Sequence, residues 1–231
     1  MTSRLLTSAL IAGAGAGLIA ALLQLVFVQP ILLHAELYES GQLVHFGADP
    51  VSAEQVVPLL QPLRDGLSIL FTMLNYTGWA LLLVAGMALA QRNGHDLTVR
   101  GGLLWGIAGF VAAQLAPSFS LPPEVPGLAA AEVAPRQIWW VATVASAGLA
   151  MWLIAFGRTW AAWGAAIALL LAPHLIGAPQ PEFFTGTVPP ELSSEFAART
   201  LGTGLAAWVM IGVIASWLLT RENTARKTAA A

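Results

Sequence analysis

Residues 5–33 read LLTSALIAGAGAGLIAALLQLVFVQPILL, a run without a single Lys, Arg, Asp or Glu. It exceeds the roughly 20 apolar residues that carry a helix across a bilayer. Arg4 precedes it and small residues lie within it, as in a signal peptide, but the run continues well past the apolar core of such a segment. It therefore reads as an uncleaved membrane helix. Its end is Gln29-Pro30-Ile31-Leu32-Leu33-His34-Ala35-Glu36-Leu37-Tyr38-Glu39, where an imidazole and two carboxylates follow the apolar residues closely. Taken alone, this stretch is either a solvated helix end at the membrane surface or the first part of a ligand site.

The rest of the chain has the same character. With 57% hydrophobic and 10% charged residues, it is too apolar for a soluble domain of ordinary composition. Windows free of Lys, Arg, Asp and Glu recur at Gly66–Gln91, Gly101–Phe119, Gln137–Phe156, Thr159–Gly177 and Thr200–Thr220. With Leu5–Leu33 these predict an all-α membrane protein, a single domain built as a bundle of six transmembrane helices. An open sheet would leave backbone groups unpaired in lipid, and a barrel would show short alternating strands. No cysteine is present, which excludes disulfides, thiolate metal sites and thiol redox chemistry.

Charge sets the expected orientation. With both termini in the cytoplasm, the inner segments hold Arg4, Arg92, Arg100, Arg158, Arg221, Arg226 and Lys227, and only Arg64, Arg136 and Arg199 lie outside. That distribution obeys the positive-inside rule. Most acids fall on the outer face, where they would concentrate cations, although solubility of the loops accounts for them as well.

Along the chain, Gly13, Gly15 and Gly17 offer a small-residue face for close helix packing, as do Gly101, Gly102 and Gly106. Gln24 and Gln29 require polar partners inside the bundle. The long connection from Ala35 to Asp65 is expected to hold a short helix from Ser52. Asn75, Tyr76, Thr77 and Gly78 are expected to interrupt the second span, either lining a path or tying helices together. Trp139 and Trp140 are expected at belt height, Gly157-Arg158-Thr159 forms a tight turn, and the tail from Glu222 to Ala231 is expected to lack order.

The spans read as three repeated hairpins, each an outgoing helix ending at a proline (Pro30, Pro117, Pro173), an acidic outer loop, and a return helix entered through Arg64, Arg136 or Arg199. The last two copies agree more closely. Ala116-Pro117, Glu124, Val125-Pro126 and Arg136 are matched by Ala172-Pro173, Glu182, Val188-Pro189 and Arg199. Repeats arranged around an axis along the membrane normal would bring the three outer ends together. His34, Glu36, Glu39, His174 and Glu182 are then the candidate metal ligands. His174 stands out because an ionisable group so near lipid depth needs protein or water around it. The three outer arginines are expected to pair with surplus carboxylates, so not every acid is free to bind an ion.

Three segments carry a likeness to a known family. Gln29-Pro30 with His34 through Glu39, Ala116-Pro117 through Leu121-Pro122-Pro123-Glu124-Val125-Pro126-Gly127 to Arg136-Gln137-Ile138-Trp139-Trp140, and Gly177 through Glu182 together resemble the CbtA family of cobalt transporter subunits. The resemblance implies a multi-pass protein of the bacterial inner membrane that takes up cobalt for cobalamin synthesis, beside a small single-span, histidine-rich partner of the CbtB type. It supplies no ligand set. Imidazole and carboxylate suit Co²⁺, and the lack of cysteine disfavours soft metals.

The leading expectation is a membrane permease subunit with Co²⁺ as the transported ion, no permanently bound cofactor, and no nucleic-acid partner. The rival is a non-transporting scaffold or metal-receiving chaperone subunit, favoured by the lack of acids within the spans. No Walker motif, HExxH or serine–histidine constellation marks the chain as an enzyme.

Overall fold

Prolines mark several of the helix boundaries. The computed structural model describes residues 2–47 and 60–229, with side chains from Ser3 to Arg221. The order is α1 (Thr2–Phe27), α2 (Gln29–Glu39), α3 (Pro62–Arg92), α4 (Val99–Phe110), a π-helical turn (Val111–Leu115), α5 (Ala116–Ser118), α6 (Val133–Phe156), α7 (Trp160–Ile176) and α8 (Pro190–Ala229). Among the described residues, five helices are long and apolar enough to cross a membrane: Ser3–Phe27, Pro62–Arg92, Val99–Ser118, Val133–Phe156 and Pro190–Arg221.

The all-α expectation holds, with corrections to its parts. The sixth expected span, 159–177, is the 17-residue α7. At 1.5 Å per residue it is roughly 25 Å long, at the lower end of the roughly 17–25 residues that span a bilayer. The first span ends at Phe27, and Gln29–Glu39 forms a separate helix with Pro30 in its first turn. Asn75–Gly78 do not interrupt α3, since Thr77 donates its hydroxyl to the Met73 carbonyl at 2.7 Å and the helix runs through. The tail continues α8 to Ala229. The short helix expected from Ser52 falls on residues outside those described.

Each break leaves carbonyls that lipid cannot satisfy, and other groups meet them. After Pro30 the amides of Ile31 and Leu32 both turn to the Val28 carbonyl, at 3.1 Å each. The Phe27 carbonyl instead accepts from Arg199 Nη1 at 3.1 Å. Pro173 sits inside α7 and releases the Leu169 carbonyl, which accepts from Ser146 Oγ of α6 at 2.7 Å. Pro117 lies two residues past the π-helical turn, where the backbone has already left the α-helical register. Ser146→Ala is expected to destabilise the α6–α7 hairpin by about 1 kcal/mol, visible as a lower midpoint of thermal unfolding in detergent. An unchanged midpoint would show that the carbonyl finds another donor.

The chain divides into two compact units. The first comprises 1–25, 60–110 and 203–231. Its crossings are built on glycine. Cβ atoms built at Gly13 and Gly17 would press on Thr77 and Met73 of α3, while Gly102 and Gly106 of α4 meet Gly212 and Trp208 of α8. Gly15, between the first two, faces open space, because residues two apart on a helix point to different faces. Gln24 finds its partner here, its Oε1 accepting from Thr72 Oγ1 at 3.2 Å.

Of the described residues, the second unit holds 26–47 and 111–202. α6 and α7 form its hairpin through the short turn at Gly157–Thr159, where Thr159 Oγ1 caps α7 by accepting from the Ala162 amide at 3.2 Å. Two expected outer loops pair with each other: the Ala129 amide donates to the Thr185 carbonyl at 2.8 Å, and the Thr187 amide to the Gly127 carbonyl at 3.2 Å. Beneath them Ile31, Ala35 and Tyr38 of α2 pack with Val125, Val188 and Leu192. The two Val-Pro positions matched by the sequence repeat thus meet in one apolar cluster.

Candidate metal-handling site

All five expected ligands lie in the second unit. α2 buries Ile31, Ala35 and Tyr38, a spacing that places them on one helical face. His34 stands at the edge of that stripe, its ring 5.4 Å from the Tyr38 ring and tilted by 40°. Both its nitrogens are buried and neither has a hydrogen-bond partner. A neutral imidazole has one donor and one acceptor to satisfy, so this placement leaves both without a bond and carries a desolvation cost. Glu36 and Glu39 project from the exposed side of α2. The Glu39 Cβ lies only 3.2 Å from where a side chain on Gly127 would begin, and Gly127 has φ 84. The loop approaches α2 so closely because that residue has no side chain.

His174 follows Pro173 near the end of α7. Its Nδ1 lies 2.8 Å from Ser120 Oγ, and the Phe119 and Trp139 rings pack against it in T-shaped arrangements, with centroids 5.0 and 5.8 Å away. Trp139 is buried within the protein, where its Nε1 donates to the Pro173 carbonyl at 3.0 Å. A serine–histidine pair therefore exists that sequence spacing does not expose. No carboxylate completes it into a catalytic triad among the described residues, for His174 bonds only Ser120.

The carboxylates sort into two groups. Arg64 binds Asp65 at 2.9 Å, Arg136 binds Glu124 at 2.6 Å, and Arg199 binds Glu195, so each expected outer arginine holds one acid. Glu36, Glu39 and Glu182 are exposed, and among the described residues no ion pair engages them. No group of three or more His, Asp or Glu is gathered closely enough to hold a metal ion among the described residues. No hydrogen bond or ring contact joins His34 to His174. The sequence-based set also omits His45, whose ring stands edge-on to Tyr38 at 6.4 Å. It lies in an irregular connection, where spacing gives no face, so only the fold reveals it. Chemically, separate imidazoles and free carboxylates suit brief binding of a hydrated divalent ion, as passage requires, better than a closed structural metal centre.

Long apolar helices, glycine crossings and cross-helix rescue of proline breaks define a multi-pass helical membrane protein. The chain belongs to the family described as "Probable cobalt transporter subunit (CbtA)", which matches residues 2–220. Membership brings a role in transport, with other subunits and a metal ion as substrate. Neither a curated protein nor a solved structure matches the chain.

Proposed function

We propose that this chain is the membrane permease subunit of a cobalt uptake system in the bacterial inner membrane, supplying cobalamin synthesis. Exposed Glu36, Glu39 and Glu182 attract the hydrated cation, and His34 and His174 exchange some of its waters for imidazole nitrogen. The observation that carries this reading is His34, an imidazole kept within the protein with neither nitrogen bonded. Both termini are cytoplasmic, and a small single-span, histidine-rich subunit of the CbtB type delivers or receives the ion. Co²⁺ is the cargo, with no resident cofactor. The chain has no Walker motif, so ATP is not hydrolysed on it.

A second reading, a non-transporting scaffold or metal-receiving chaperone, draws on the absence of a gathered three-ligand group among the described residues. Liposomes separate the two. The purified chain, with or without the small subunit, should accumulate labelled Co²⁺, and His174→Ala should slow the initial rate by about tenfold or more. No accumulation in either preparation would favour the scaffold.

A further inference from the structure

We propose that Ser120 is a positioning residue for His174, fixing Nδ1 so that Nε2 is the atom presented to the cargo ion. This rests on the reading above that His174 meets the ion. The hydrogen bond is short, 2.8 Å between Ser120 Oγ and His174 Nδ1. Metal-binding imidazoles ordinarily donate their second N–H to a neighbouring group, which sets both tautomer and ring orientation. With Nδ1–H donating to Ser120 Oγ, the lone pair lies on Nε2, and among the described residues nothing bonds that atom.

Both partners of the bond are themselves held. Ser120 lies on a turn whose amide donates to the carbonyl of buried Pro117 at 3.2 Å. The His174 ring is flanked by Phe119 and Trp139, and Trp139 is tied to the Pro173 carbonyl, the peptide just before His174. Rotation of the imidazole is thus restricted on two sides, and Nε2 is left as its one uncommitted polar atom. The choice of a hydroxyl has a consequence. A carboxylate in that place would raise the basicity of the imidazole and tighten the metal bond, whereas a neutral hydroxyl orients the ring without that gain. Weak binding at a fixed geometry is what a passage site needs.

The test uses the full chain in nanodiscs with CoCl₂. Side-chain ¹⁵N spectra of the wild type should show His174 with the proton on Nδ1; a proton on Nε2 would overturn the proposal without any variant. Ser120→Ala should weaken Co²⁺ binding by about 10- to 100-fold and mix the His174 tautomers, and Ser120→Thr, which keeps the hydroxyl, should restore both. Wild-type affinity in Ser120→Ala, or a loss that Ser120→Thr does not recover, would overturn it. If His174→Ala binds Co²⁺ as the wild type does, the role given to His174 fails on its own, separately from the bond to Ser120.

Discussion

Replacing Gly212 by valine is expected to leave little folded protein in the membrane. A Cβ at Gly212 would sit 2.6 Å from the amide nitrogen of Gly106 and 2.9 Å from its Cα. The opposing surface is as tight, since a Cβ at Gly102 would lie 2.5 Å from the Gly212 carbonyl oxygen, and one at Gly106 would lie 2.5 Å from that of Trp208. All of these are backbone atoms, so no side-chain rotation relieves the clash, and α4 and α8 would have to separate. Overpacking costs typically 1–3 kcal/mol even where side chains can shift. In a bilayer the loss is harder to recover, because close van der Waals packing rather than the hydrophobic effect holds helices together. The yield of monodisperse protein after extraction should fall about tenfold or more for Gly212→Val. Gly15→Ala, Gly148→Ala and Gly164→Ala, where nothing lies within 4 Å, should stay near wild type. Equal yields across the series would mean that the α4–α8 crossing does not limit folding.

Much of the glycine packing is legible in the sequence and much of the candidate site is not, for a physical reason. Glycines four apart in an apolar run have one common use, so the spacing of Gly13 and Gly17 is enough to announce a close approach. The prolines likewise announce breaks, yet a break does not say who will satisfy the carbonyls it releases. Ser146 for Leu169 and Arg199 for Phe27 are pairings across 23 and 172 residues. The arginine–carboxylate pairs can be anticipated in kind from the excess of acids, though not partner by partner. Ser120, Trp139 and His174 carry no shared spacing, and their meeting follows from how α6, α7 and the preceding turn pack. His34 is readable as a candidate ligand, but the lack of a partner for either nitrogen is a property of its surroundings that no spacing rule contains.

That lack of a partner makes His34→Leu the most discriminating substitution in the chain, because stability and transport should move in opposite directions. A buried polar group without a hydrogen bond costs about 1–3 kcal/mol, and the His34 ring leaves both its nitrogens in that condition. Leucine offers an apolar side chain of similar bulk to the cluster of Ile31, Ala35, Tyr38, Val125, Val188 and Leu192. The variant should therefore unfold a few degrees higher than the wild type, while labelled Co²⁺ uptake into liposomes falls about tenfold or more. A residue kept for packing behaves otherwise: Arg199→Ala strips the Phe27 carbonyl of its donor and should lower the unfolding temperature. Unchanged uptake in His34→Leu would remove His34 from the route of the ion. A lower unfolding temperature would show that the imidazole has a stabilising partner. A gain in stability coupled to a loss of transport is what a site that keeps an unsatisfied ligand for its cargo should give.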